Sequence, residues 1–394
     1  MNIKTLFNRS VIAIDAYLRC KRKHRLTENR NVLIIFQQAF GDSVVLQDSL
    51  IRYAALYPRS KGYHLKLIAQ PSVLSFMKEN LSLPAEIEYE AMDFKRFLAD
   101  YPYYRKVVKQ YDAYAGTAIV PGTSLSAEIL SAALNAKRKV GLVRCFDVKS
   151  PFVMATFAQI AYTERVKPDK SEMMLQRHRR LLHYLGDTTY KASLPKLLPK
   201  DRMIEGKYAV MCPGASKSEK CWPIERFAEA ADYLIEQYKL PVHLCGGAEE
   251  KRSAEQMKSL VKHPDHVIDH TGKTSFSDWS AIIQHADLVL GNDSATLHIA
   301  VAGRAKSICI TGVYDKYQFF PYQADHLEGN DILPVTLMRD MPCEWCRTKG
   351  YDAGYGNPSC TARIKAGKCA ECIEAVTVEE VKTAIDKLLR EFSK

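Results

Sequence analysis

A chain of 394 residues, 47% apolar and 26% charged, has a globular composition and enough length for two cores, which excludes disordered and collagen-like classes. The net charge of +11 asks for an acidic partner, whether nucleic acid, anionic lipid or a phosphorylated substrate, without choosing among them. No apolar run reaches the length of a membrane span, and Asp15 interrupts the opening apolar patch with no cleavage site after it, so the expected compartment is the cytoplasm.

Ile3, Leu6, Phe7, Val11, Ile14, Tyr17 and Leu18 recur at helical spacing and run into Lys21, Arg22, Lys23 and Arg25. Two readings fit this extension, residues 1–30: an interfacial helix on an anionic membrane surface, or a helix packed on the body of the protein beside a solvated basic run. Residues 32–36 then read as a strand, Phe40-Gly41-Asp42-Ser43 as a turn, and Val44, Val45, Leu46, Leu50, Ile51 and Ala54 as the apolar face of a helix ended by Pro58. Asp42 falls at the carboxyl end of that strand, where open parallel sheets bind ligands, but an ordinary first-turn carboxylate has the same spacing. No second or third glycine follows Gly41, so this is not a dinucleotide fingerprint.

Alternating apolar and amphipathic stretches continue the sheet to about residue 186, with basic clusters at Lys137-Arg138-Lys139 and Arg177-His178-Arg179-Arg180 that could meet an acidic acceptor but read more readily as a solvated face. Residues 190–206, with Pro195, Pro199 and Gly206, lack periodicity and mark a boundary between a first domain, 31–190, and a second, 206–340. In the second, the strand 208–212 leads into Pro213-Gly214-Ala215-Ser216-Lys217-Ser218-Glu219-Lys220, whose cations can neutralise a diphosphate. The strand 241–245 leads into Gly246-Gly247-Ala248-Glu249-Glu250, where two glycines admit a ligand to the backbone and a carboxylate can accept from ribose hydroxyls.

His263, His266 and His270 lack metal-ligand spacing, and Thr271-Gly272-Lys273-Thr274 has Val267 where a phosphate-binding P-loop requires glycine, so an NTPase is rejected. Residues 286–300 read as strand, turn at Gly291 and Asn292, and helix; such a turn offers unpaired N–H groups and a helix dipole to an anion. A plain turn capped by Asp293 or Ser294 would look the same. Near the end, Cys343, Cys346, Cys360, Cys369 and Cys372 form paired Cys-x-x-Cys steps in a segment spanning 341–374; their spacing suits a structural zinc, a disulfide or packed thiols. The other cysteines are scattered, several in apolar runs where the thiol acts as a small hydrophobe. Residues 375–394 hold a final amphipathic helix.

Taken together, Phe40-Gly41-Asp42-Ser43-Val44-Val45-Leu46, Pro213-Gly214-Ala215-Ser216 with Lys220-Cys221-Trp222-Pro223, Gly246-Gly247-Ala248-Glu249, Thr271-Gly272-Lys273-Thr274-Ser275, and Gly291-Asn292-Asp293-Ser294 through His298 resemble glycosyltransferase family 9, the ADP-heptose:lipopolysaccharide heptosyltransferases, in order and spacing. The resemblance implies an α/β protein of GT-B fold: an acceptor-binding and a nucleotide-sugar-binding Rossmann-like domain facing across a cleft, and a C-terminal helix crossing back. It implies an inverting, metal-independent transfer of a heptose or similar sugar from ADP-heptose to a lipid-linked anionic glycan of lipopolysaccharide type, at the inner face of a bacterial inner membrane. Asp42 matches the family's general base, with Gly41 and Ser43 beside it on the acceptor side. Lys220 and Ser216 match the diphosphate contacts, and Glu249 the ribose contact. Gly272, Asp293, Ser294, Ala295 and His298 match the remaining donor-binding positions. The family's cysteines also cluster near the C-terminus, and no cofactor is implied for catalysis. Where relatives carry glycine then proline, this chain has Ala295-Thr296, and the added methyl bears on which donor fits. A non-catalytic nucleotide-sugar or anionic-glycan binder on the same scaffold is the alternative. No basic-aromatic module supports specific nucleic-acid binding.

Overall fold

The computed structural model describes residues 3–22, 26–144, 152–313, 318–339, 341 and 358–390. The chain divides into two units, Met1–Lys78 with Ser82–Ala192, and Glu79–Leu81 with Ser193–Lys394.

In the first unit six strands, β1 (Asn31–Phe36), β2 (His64–Ala69), β3 (Ile87–Ala91), β4 (Thr117–Val120), β5 (Arg138–Leu142) and β6 (Glu164–Val166), pair in the order β3-β2-β1-β4-β5-β6. Every pairing is parallel, β1 taking β2 on one side and β4 on the other. Val32 to Phe36 are all buried, as a central strand covered by helices on both faces requires. This is the doubly wound order, in which the chain reverses direction across the sheet between β1 and β4. Helix Phe40–Leu56 follows β1, and helix Leu125–Ala133 follows β4 with the Ser124 hydroxyl accepting from Ala127 N–H as its cap.

The second unit repeats the plan. Strands β7 (Ala209–Cys212), β8 (Val242–Leu244), β9 (Val267–Asp269), β10 (Leu288–Asn292), β11 (Ser307–Ile310) and β12 (Val335–Leu337) lie in the order β12-β11-β10-β7-β8-β9, again all parallel. Here the reversal falls between β7 and β10. The turn expected at Gly291 and Asn292 is instead the end of β10, with Gly291 paired to Cys212 and Cys309. Gly291 is needed for close approach: a Cβ there would meet Leu297 Cδ2 at 2.9 Å and the Cys212 carbonyl at 3.0 Å, so the next helix could not settle on the strand.

The final helix, Val378–Arg390, starts at Thr377, whose backbone N–H reaches Glu380 Oε2 at 2.8 Å. Expected to run back toward the first unit, it lays Val381, Ala384, Ile385 and Leu388 into the core of the second, against Leu234, Leu290 and Ile310.

Candidate active site

Ligands of doubly wound sheets bind beyond the carboxyl ends of the strands at the reversal point. In the second unit that point is between β7 and β10, and one side chain organises it. Asn292, fully buried, donates from Nδ2 to the carbonyls of Pro213 at 2.7 Å and Gly214 at 3.4 Å, and its Oδ1 accepts from Trp222 N–H at 2.9 Å. Both ends of the loop after β7 are thereby tied to the end of β10. Trp222 is held a second time, by Nε1 donating to the Val376 carbonyl at 2.9 Å and by an edge contact with Phe227. Between these ties a 3-10 turn, Ser218–Lys220, carries Lys220 half-buried, braced where Ala370 N–H donates to the Glu219 carbonyl at 3.0 Å. Ser216 is exposed on the outer part of the loop.

Helix Ala295–Ala302 begins beside this turn. Ser294 stands at its N-cap in extended conformation, but the hydroxyl makes no capping bond; Oγ is buried and has no hydrogen-bond partner among the described residues. A capped plain turn is therefore not what the chain builds here. The uncapped hydroxyl and the orphan N–H groups of the first turn form a donor set for an anion. Thr296 turns inward and hydrogen-bonds the Cys212 thiol, so its extra atoms are absorbed by the core; Ala295 is half-buried at the helix start.

His298 is buried against Phe319, Phe320 and Tyr322, with Nδ1 2.7 Å from the Tyr322 hydroxyl. Burial, and secondarily the charge of Lys220, pushes it down to about 3, so it is neutral and acts through shape and one hydrogen bond. Lys220 is felt at both His298 and Cys309, and Asp293 at Cys309 and Tyr322. The ammonium and the carboxylate thus share one corner of the helix start.

The loop after β8 supplies the opposite wall. Its two carboxylates part company: Glu249 is exposed, while Glu250, on the 3-10 turn Ala248–Glu250, points into the crevice and accepts from Gly247 N–H at 3.2 Å. A Cβ on Gly214 or Gly246 would stand 1.6 or 1.7 Å from a Glu250 carboxylate oxygen, so only glycines leave room for it. Gly272, at φ +65°, donates to the Gly246 carbonyl at 2.9 Å and lies so close to Ala248 that it braces the loop rather than the ligand.

Burial, and then the neighbouring Glu249, raises the Glu250 carboxyl from 4.5 to about 7. A folded-state value above the unfolded one means that stability is lost as pH climbs from about 4.5 through 7. Glu250→Gln should escape this loss. Its unfolding free energy, followed by melting, should pull ahead of the parent's between pH 5 and pH 8, by roughly 1 to 3 kcal/mol after allowing for partial exposure. Parallel curves across that range would refute the assignment.

In the first unit the reversal point lies between β1 and β4. Gln38 Nε2 donates to the Thr123 carbonyl at 3.3 Å, joining the two loops. Asp42 sits half-buried in the first turn of helix Phe40–Leu56, its Oδ2 accepting from Ala39 N–H at 3.1 Å. Gly41 is buried, and Ser43 is buried with its hydroxyl donating to the Phe40 carbonyl at 2.6 Å. The basic cluster near residue 178 is not a uniformly solvated face. Arg177 and His178 are buried, His178 pushed down to about 4 by burial against backbone hydrogen bonds at Pro121 and Val45, and Arg180 forks onto Glu172 at 2.8 and 2.6 Å.

Among the cysteines, Cys212, Cys245 and Cys309 are buried beneath the crevice with thiols pushed up by burial, which suits packing and not reactivity. Cys360, Cys369 and Cys372 are buried in the second core. Cys343 and Cys346 lie outside the described residues, and among the described residues no three His, Cys, Asp or Glu side chains converge to hold a metal. Sequence reasoning placed Asn292, Trp222 and Glu250 in its motifs without giving them these roles, and missed Tyr322 altogether.

A family model described as glycosyltransferase family 9 (heptosyltransferase) matches residues 105–329. The lipopolysaccharide core heptosyltransferase OpsX of Haemophilus influenzae is 26% identical over 233 residues, 54% of this chain and 60% of that protein. The chain spans between 35% and 60% of the length of the curated relatives it matches. The solved Escherichia coli ADP-heptose LPS heptosyltransferase II superposes with a TM-score of 0.63 at 15% identity, covering 92% of this chain and all 100% of that one. Escherichia coli heptosyltransferase WaaC with ADP-2-deoxy-2-fluoro heptose gives 0.57 at 15%, covering 91% and 99%. At these identities the likeness to the two structures shows the fold.

Proposed function

The chain belongs to glycosyltransferase family 9, and from that premise we propose that it moves a heptose, or a closely similar sugar, from a nucleoside diphosphate donor to a lipid-linked anionic glycan of lipopolysaccharide type. ADP-heptose is the proposed donor, supported by the ADP-sugar bound to the similar WaaC. The net charge of +11 suits an acceptor rich in phosphate and carboxylate, and a lipid-linked acceptor puts the working enzyme at the inner face of a bacterial inner membrane.

The proposed reaction is a single inverting displacement that needs no metal. The acceptor hydroxyl oxygen attacks the anomeric carbon as Asp42 takes its proton; the bond from that carbon to the diphosphate oxygen breaks, and its electron pair leaves on the diphosphate. Lys220, the Ser294 hydroxyl and the N–H groups at the start of helix Ala295–Ala302 would meet the charge that develops there. Asp293 would take sugar hydroxyls. We assign the ribose to Glu250 in preference to Glu249, on the strength of its burial between Gly214 and Gly246. Ser216 is left a peripheral contact.

The observation that carries this reading is the set of ties Asn292 makes, which hold the Lys220 loop at the reversal point of one sheet, where the uncapped helix start and the half-buried Glu250 also lie. Thermal unfolding with a panel of nucleotide sugars tests it. ADP-heptose at a hundred times its Kd should stabilise by about 2.7 kcal/mol, UDP- and GDP-sugars by less, and added acceptor glycan should release ADP. Stabilisation without transfer would favour a non-catalytic binder, and no stabilisation by any of them would remove the donor site.

A further inference from the structure

The N-terminal helix, Ile3–Lys21, has two working faces. One belongs to the first unit: Ile12 and Ala16 are fully buried in its core, Asn8 donates to the Ala99 carbonyl at 2.7 Å, and the Cys20 thiol reaches the Ile160 carbonyl. The other faces solvent with Leu6 55%, Phe7 67%, Ile14 60%, Tyr17 40% and Leu18 45% exposed. At 3.6 residues per turn these five fall within an arc of about 120°, opposite the buried residues. Large apolar side chains left in water along one side of a helix, here with only exposed Ser10 among them in the arc between Leu6 and Leu18, mark an interaction surface.

Charge says what meets it. Asp15, the one acid of the helix, is turned inward, where Oδ2 accepts from the Tyr104 hydroxyl and Arg19 Nε, both at 2.8 Å. The outward arc therefore carries no negative charge. Lys21 and Arg22 are exposed at its C-terminal end, Lys21 with its ammonium 5.7 Å from the Tyr17 ring centre. An apolar stripe ending in cations and free of acids matches the boundary between acyl chains and anionic headgroups. Among the described residues no helix is long and apolar enough to cross a membrane, so the arrangement is one for lying on a bilayer.

We propose that the outward face of this helix, Leu6, Phe7, Ile14, Tyr17 and Leu18 with Lys21 and Arg22, docks the protein on an anionic lipid surface while the inward face holds the helix to the first unit. On this proposal the packed reading holds on one side of the helix and the membrane-surface reading would hold on the other. The proposal stands on this helix alone, so loss of sugar transfer with retained lipid binding, or the reverse, separates its failure from that of the catalytic reading.

Sedimentation of the full chain with vesicles tests it. The parent should pellet with equal parts phosphatidylcholine and phosphatidylglycerol, and weakly with phosphatidylcholine alone. Phe7→Gln, Ile14→Gln and Leu18→Gln together should weaken partition about tenfold or more at an unchanged melting temperature, because all three side chains are exposed in the folded protein. Lys21→Glu with Arg22→Glu should abolish the preference for the anionic vesicles. A parent that pellets with neither vesicle, or a triple variant that pellets as well as the parent, would overturn the proposal. So would a parent that elutes as a dimer and becomes monomeric in the triple variant without binding lipid, since the stripe would then belong to a second copy.

Discussion

Asp42→Asn is expected to lower kcat by about a hundred- to ten-thousand-fold, the usual worth of a positioned general base, while leaving donor-induced thermal stabilisation intact. The substitution separates the carboxylate's place in the helix start from its proposed role as base. As a first-turn residue of helix Phe40–Leu56 it accepts from Ala39 N–H at 3.1 Å and faces the positive end of the helix dipole. The amide oxygen of asparagine can keep that hydrogen bond and forfeits only the charge, so stability should fall by less than about 1 kcal/mol. What asparagine cannot do is accept the proton of an attacking hydroxyl. Asp42→Ala removes both tasks and should lose the same activity with a larger drop in melting temperature. Turnover by the asparagine variant within about threefold of the parent would leave Asp42 a helix-start residue and nothing more.

How much of this was legible beforehand depended on the distance between partners. Strands β1, β7, β8 and β10 could be read because each is a short apolar run before a glycine- or proline-bearing loop, a local signal. β3 and β6 could not, since Glu88, Glu90, Glu164 and Arg165 interrupt them and only pairing in the sheet reveals them as strands. Asn292 looks like a turn residue in sequence, because asparagine after glycine usually is; its three hydrogen bonds reach partners 70 to 79 positions away. Glu249 and Glu250 are adjacent, and nothing local says which one a 3-10 turn will send inward. The N-terminal helix defeated a choice between two readings because its apolar residues spread over two faces, and the sequence does not say which of them packs.

Asn292→Ala should be the most destabilising single change in the crevice, costing about 3 to 5 kcal/mol and lowering the melting temperature by roughly 6 to 15 °C. Truncation strands the Trp222 N–H and the Pro213 carbonyl away from water, each a desolvated group with no replacement partner, at about 1 to 3 kcal/mol apiece. Trp222 itself should stay near its place, because Nε1 remains bonded to Val376 and its ring to Phe227. The damage therefore falls on residues 213–221, which carry Lys220, and donor-induced stabilisation should shrink along with the melting temperature. Asn292→Asp discriminates further. It keeps an acceptor for Trp222 N–H but turns a carboxylate oxygen on the Pro213 carbonyl, replacing an attraction by a repulsion in the interior, so it should be no milder than alanine. An alanine variant that melts within about 2 °C of the parent and binds donor as well would show that the loop after β7 is held by its other contacts. The placement of Lys220 would then owe nothing to the Asn292 side chain.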